Sequence, residues 1–249
     1  MRPEGFSAVM AHRVTTPDSL DYFPTPPWAA RAGGELIRRL DPQARTCWEP
    51  ACGEGHMVHG LNDDFDTVSA SDIHAYGAGA AFDFLDPEAP MTRSVWDWIV
   101  TNPPFVKGEA FVRAAWPRAR RGVAMLMRMQ FREGKARASG LFADHPLAVK
   151  ATFAERVAMV KGRWDPGASS ATAYAWFLWL KPEALATSPA RAAIEAARAF
   201  DPTAGLDLLI SPGTRARLER PADFQRFGLT AETPMFDPPP PETDPETEI

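Results

Sequence analysis

The string V-T-N-P-P-F at residues 100–105 constrains the fold more than any other part of this chain. It follows W-D-W-I, a run dense in aromatic and β-branched side chains that reads as a buried strand. Pro103 and Pro104 end that strand. Neither has an amide proton, and each ring holds φ at about −65°, so the turn is stiff. Asn102 precedes a proline, which biases it toward extended backbone and holds its carboxamide in one place. Phe105 follows at the rim. A fixed carboxamide, stiff backbone carbonyls and an aromatic ring suit a clamp on a flat ring that carries an amino group.

Upstream, the pattern builds toward this turn. Residues 21–28 read D-Y-F-P-T-P-P-W, stiffened by Pro24, Pro26 and Pro27, with Thr25 placed to cap the helix that follows. Trp28, Leu36, Ile37 and Leu40 give that helix an apolar side, although Gly33 and Gly34 weaken its middle. A first strand at Thr46–Glu49 runs into E-P-A-C-G-E-G-H-M, where Gly53 and Gly55 let the backbone turn tightly and approach a ligand. Val58 stands where a dinucleotide fingerprint has its third glycine. A second strand ends near Asp72, 17 residues beyond Gly55, a spacing that suits an acid holding ribose hydroxyls. On spacing alone, a simple turn residue fits Asp72 equally well. Asp83 lies in F-D-F-L-D, either near a nucleoside base or as a surface acid between core aromatics.

Downstream, residues 109–116 read as a helix and 122–126 as an apolar strand. Residues 131–145 suit a flap. A strand at 156–160 and another at 172–180 form an antiparallel pair at the edge of the sheet. Residues 184–200 are alanine-rich and helical, and 201–227 read as two short helices. The predicted fold class is α/β: a Rossmann-like, mostly parallel sheet with an antiparallel C-terminal hairpin. Gly53, Gly55, Asp72, Asp83 and Asn102 then share one rim, beyond the carboxyl ends of the strands. The expected organisation is a loose segment 1–20, a catalytic domain 21–181, a helical extension 182–232 and a disordered tail 233–249.

The chain has 249 residues, enough for one large domain, and a net charge of −5. The balance is uneven. Residues 107–137 hold nine basic side chains against two acids, and the tail from Thr233 holds five acids, six prolines and no base. Lys107, Arg128, Arg132, Lys135 and Arg137 are therefore candidate phosphate contacts, with a solvated helix face as the plain alternative. Trp164, central in its loop, either stacks on a base or packs inside. Cys47 and Cys52 with five scattered histidines make no metal cluster, and reduced cysteines suit the cytoplasm. No apolar run reaches the roughly 20 residues of a membrane span, and the N-terminus reads without a secretion signal.

As an ordered set, these motifs resemble the class I S-adenosylmethionine-dependent methyltransferases, specifically the DNA adenine-N6 branch with the compact layout of phage and prophage enzymes. The matching residues are Phe23-Pro24-Thr25-Pro26, Glu49-Pro50-Ala51-Cys52-Gly53-Glu54-Gly55, Asp72, Asp83 and Asn102-Pro103-Pro104-Phe105. The resemblance covers about residues 21–181 and implies the class I methyltransferase fold and S-adenosylmethionine as cofactor. It places Phe23, Thr25 and Pro26 against the methionine end, and Glu49, Gly53 and Gly55 beneath and beside it. Asp72 would hold the ribose and Asp83 the adenine N6. Asn102 and the Pro103 carbonyl would accept the amino protons of the target base, with Phe105 stacked on its ring. Two residues depart from the usual pattern: Glu49 stands where Asp is more usual, and Asn102 replaces the commoner acid of many DNA enzymes.

The implied reaction is direct transfer of the methyl group to N6 of adenine in DNA. RNA adenine, a protein glutamine amide and N4 of cytosine present the same planar NH2 and stay open as acceptors. A binding module without activity is a separate class, against which the presence of both Asp72 and Asn102 argues. The oligomeric state is not encoded in any motif.

Overall fold

The computed structural model describes residues 21–89, 91 and 95–228. The loose segment 1–20 and the acidic tail 233–249 lie outside them. Eight strands form one sheet: β1 (Thr46–Glu49), β2 (Thr67–Asp72), β3 (Ala80–Ala81), β4 (Trp96–Thr101), β5 (Ala119–Arg128), β6 (Val149–Phe153), β7 (Tyr174–Leu180) and β8 (Leu206–Ile210). Their spatial order is β3-β2-β1-β4-β5-β7-β6-β8. Every neighbouring pair is parallel except the two made by β7, which runs antiparallel to both β5 and β6. Strand order reverses between β1 and β4, the switch point beside which open α/β sheets bind ligands.

The sheet is covered on both faces, so its central strands are apolar throughout rather than alternating. In β7 the run Y-A-W-F-L-W-L is buried at every position. Trp176 and Leu178 pack on the side of α1 (Pro27–Leu40) and α2 (His56–Leu61). Phe177 and Trp179 pack on the other side with α3 (Gly108–Arg118) and with α5 (Leu141–Asp144), which follows the short α4 (Lys135–Ser139). The Gly33-Gly34 pair has a packing reason. A Cβ on Gly33 would lie 2.4 Å from the Trp176 indole, whose Nε1 donates to the Ala29 carbonyl at 3.0 Å. Glycine lets this large ring close against the helix.

Several boundaries differ from the sequence reading. Residues 156–160 are not a strand. Val157, Ala158 and Met159 are buried in a loop, and the strand is β6, earlier in the chain. β7 is not at an edge, because β6 and β8 lie outside it. The stretch 182–232 is not wholly helical. It carries α6 (Pro182–Thr187), α7 (Arg191–Phe200), α8 (Thr214–Leu218) and α9 (Pro221–Phe227), but also β8, which joins the same sheet. Thr25 caps nothing: Pro26 is the N-cap of α1 and Pro27 its first residue.

Candidate active site

The site is a cleft over the carboxyl ends of β1, β2 and β4. Phe23, Thr25, Glu49, Asp72, Asp83, Asn102, Pro104 and Lys107 all line it, although they span 85 positions of sequence.

Asn102 carries the most informative geometry. Its Nδ2 donates to the Phe23 carbonyl at 2.9 Å and lies 3.5 Å from Met159 Sδ. A carbonyl can only accept, so the carboxamide is oriented: nitrogen toward Phe23, oxygen away from it. That Oδ1 is buried and has no hydrogen-bond partner among the described residues. An unpaired buried acceptor costs about 1–3 kcal/mol, so the fold keeps this oxygen unpaired at a stability cost. The Asp21 carboxylate accepts the Phe105 amide at 2.9 Å, and the Pro104 carbonyl accepts the Lys107 amide at 2.8 Å. These bonds fix the turn after β4. Pro103 is buried, and Phe105 is half-buried with the Arg128 guanidinium 4.1 Å above its ring.

Between β1 and α2, Gly53 and Gly55 take φ of +49° and +89°, the left-handed region that glycine enters freely. Gly53 has a second reason, since a Cβ there would lie 2.3 Å from the Tyr22 ring. The Gly53 amide donates to Asp72 Oδ2 at 2.9 Å, and the His74 amide to Asp72 Oδ1 at 3.0 Å. Asp72 is thus no simple turn residue. It ties the glycine loop to the end of β2, and each oxygen keeps capacity for a further donor. Asp83 Oδ1 accepts the Leu85 amide at 2.8 Å, which orients its carboxylate in the cleft wall.

Glu49 is buried at the cleft floor, its Oε1 accepting the Ala51 amide at 3.0 Å. Burial, with the charge of Asp72 adding to it, pushes its carboxyl up to about 8. The folded chain therefore holds a proton on Glu49 at neutral pH that the unfolded chain has released. This contribution to stability is full below about pH 4.5 and is lost as pH rises through about 8. Glu49→Gln should flatten that decline. Denaturant midpoints of both proteins from pH 5 to 8 test this, and parallel curves would contradict it.

Some lining residues carried no site signal in the sequence. Tyr22 stacks on Tyr76 with centroids 5.0 Å apart, and both line the cleft. His56 stacks on Phe227 of α9 at 4.0 Å, where burial, with His59 and Arg226 nearby, pushes its imidazole down to about 4. Tyr22 lay in the proline-rich string, but nothing local marked Tyr76 or His56.

The basic stretch is largely consumed by the fold. Arg121 pairs with Asp41, Arg120 with Asp97, and Arg113 with Glu109 and Asp144. Arg118 donates to the Phe84 carbonyl. Arg132 donates to the Thr203 carbonyl and lies over Phe142. Arg137 donates to the Phe131 and Glu133 carbonyls. Lys107, Arg128 and Lys135 are exposed. Trp164 is 3% exposed and packs near His56 and Phe224, so it is a packing residue rather than a surface wedge. Among the described residues no group of histidine, cysteine or carboxylate side chains could hold a metal, and no helix is long and apolar enough to cross a membrane.

No family model matches this chain, and no curated protein matches it in sequence. Solved structures do. A type I restriction-modification system methyltransferase subunit from Streptococcus thermophilus superposes with a TM-score of 0.51 at 12% identity, over 64% of this chain and 45% of that one. This chain thus corresponds to less than half of that subunit. N-methyltransferase NodS from Bradyrhizobium japonicum gives a TM-score of 0.43 at 12% identity, over 63% and 97% of the two chains. Magnesium protoporphyrin IX methyltransferase from Synechocystis, solved with bound SAM, gives 0.40 at 14%, over 61% and 76%. At these identities the likeness to the first of them speaks for the fold alone, and that fold is the class I methyltransferase fold.

Proposed function

We propose that this chain transfers the methyl group of S-adenosylmethionine to the N6 amino group of adenine in DNA. The observation that carries the reading is the buried, partnerless Oδ1 of Asn102 in a cleft that also presents Asp72, Asp83 and Glu49. The residues fit this cofactor. Asp72, oriented by two backbone amides, has one free acceptor position on each oxygen for a pair of ribose hydroxyls. Asp83, with Oδ1 engaged, offers Oδ2 to a ring amino group. Phe23, Thr25 and Glu49 line the remainder.

When bound, the cofactor supplies a methyl group already activated on a sulfonium. The work left to the chain concerns the nucleophile. An aromatic amino group has its lone pair drawn into the ring. Asn102 Oδ1 accepts one amino proton and the Pro103 carbonyl the other, which raises electron density on nitrogen. Both bonds strengthen as positive charge develops there, so they favour the transition state over the ground state. Their fixed placement also aligns the attack.

A base inside a duplex must leave the stack to reach this cleft. Exposed Lys107, on the cleft wall, and Arg128 and Lys135 are available for phosphates, which favours nucleic acid over a protein amide. The Streptococcus subunit is named for a restriction-modification system, which agrees with a DNA acceptor.

Asp72→Ala tests the cofactor half. Calorimetric titration with S-adenosylmethionine should give a dissociation constant raised on the order of a hundredfold, as expected when two charge-assisted hydrogen bonds are lost. An unchanged constant removes Asp72 from the ribose role. Transfer of labelled methyl to DNA, with nucleoside analysis, tests the acceptor half.

A further inference from the structure

Three side chains crowd the half-buried Phe105 ring. Arg128 lies over it at 4.1 Å, Phe23 packs at 5.3 Å and Tyr174 at 5.9 Å. Phe23 is held through its carbonyl by Asn102, and Tyr174 is buried in β7. Neither can leave without disturbing the clamp or the sheet. Arg128 is the last residue of β5, its long side chain is exposed, and its guanidinium rests on the Phe105 ring and bonds the Tyr174 hydroxyl rather than a carboxylate. Of the three covers it moves at least cost, because an exposed cation–π contact and a hydrogen bond to a neutral hydroxyl are both weak.

The chemistry also requires it to move. A target amino nitrogen gains positive charge as the methyl group transfers, and a fixed guanidinium against the stacking ring would oppose that charge. The geometry points to Arg128 as a substrate-displaced placeholder: it covers Phe105 in the empty site and shifts to a backbone phosphate of the extruded nucleotide when the base takes its position. This inference rests on the nucleic-acid reading above and extends it to selectivity. An acceptor with a phosphate replaces the lost cation–π contact with a charge-assisted one. A bare nucleoside or a glutamine amide offers nothing in exchange.

The test uses the full chain with Arg128→Ala and Arg128→Gln, the second keeping most of the stem. Two quantities are read: binding of deoxyadenosine, which has no phosphate, by calorimetry with the cofactor site saturated, and binding of an adenine-containing duplex across a salt series. The expected result is nucleoside binding at least about threefold tighter in both variants, since an uncovered ring provides stacking. Duplex binding should weaken, with the slope of log affinity against log salt reduced by about one. Phe105→Leu combined with Arg128→Ala should abolish the gain for the nucleoside. Nucleoside binding unchanged or weaker in both variants would overturn the placeholder, and an unchanged salt slope would overturn its phosphate destination. Wild-type protein that neither binds nor methylates DNA would refute the proposed function. The nucleoside comparison would still decide whether Arg128 covers Phe105.

Discussion

Asn102→Ala is expected to leave the dissociation constant for S-adenosylmethionine within about threefold of wild type and to lower methyl transfer by about 10²–10³-fold, the range for removing one preorganised transition-state contact. The separation follows from the geometry. Of the residues that fit the cofactor, Asp72, Asp83 and Glu49 are oriented by backbone amides, and only Phe23 is tied to Asn102, through its carbonyl. Asn102 instead is locked through Nδ2 to the Phe23 carbonyl and presents only Oδ1. Asn102→Asp keeps an acceptor but sets a carboxylate against that carbonyl, so its activity should fall between wild type and the alanine variant. Pairing calorimetry with single-turnover transfer reads both halves. A variant with weak cofactor binding and unchanged turnover of the bound complex would place Asn102 in the cofactor site instead.

The second large effect is on stability, far from the chemistry. Arg31 of α1 is almost wholly buried. It donates to both oxygens of Asp223 at 2.7 Å, to Asp63 at 2.5 Å and to the Leu218 carbonyl at 2.9 Å. Asp223 is fully buried and also accepts the Arg220 amide at the start of α9. Asp223→Ala leaves a buried guanidinium with only Asp63 opposite, and should cost about 3 kcal/mol, the lower part of the range for breaking a buried pair. The denaturant midpoint should drop with an unchanged slope. Replacing both partners by apolar side chains, Arg31→Met with Asp223→Leu, should recover most of the loss. A midpoint unaltered by Asp223→Ala would show the pair to be dispensable. Burial raises the Asp223 carboxyl, but Arg31 and the Arg220 amide outweigh it and hold it below the usual range. Its contribution is therefore present above about pH 3.8 and is lost as pH falls through the lower folded value.

What the sequence made readable follows from the range of the interactions involved. β4, β5 and β7 are dense apolar runs with sharp ends, β1 and β2 are marked by the glycine loop and Asp72 at their ends, and this turn chemistry is local. Glycines at positive φ and a proline pair leave a mark at their own positions, which is why the glycine loop, Asp72 and Asn102 could be read together. β6 is different. V-K-A-T-F buries every other side chain and is held by β7 and β8, so its pairing depends on residues far along the chain. The stretch at 156–160, with two valines of its own, instead lies in a loop that lays Met159 beside Asn102. Charge was the least readable property. Six of the nine basic side chains between Lys107 and Arg137 are tied to carboxylates or carbonyls inside the molecule, among them Asp41, Asp97, Phe84 and Thr203. A local charge count cannot register such partners. The same distance hides Tyr76, His56 and the burial of Trp164, each settled by a segment that arrives from elsewhere.

The most direct test of the central claim is transfer of labelled methyl from S-adenosylmethionine to unmethylated duplex DNA, followed by digestion and nucleoside analysis, with RNA and protein acceptors run in parallel. Label is expected in N6-methyladenine from DNA, abolished or nearly so by Asn102→Ala. Label confined to RNA, to protein or to methylated cytosine, or label in DNA that the Asn102 variant leaves undiminished, would contradict it.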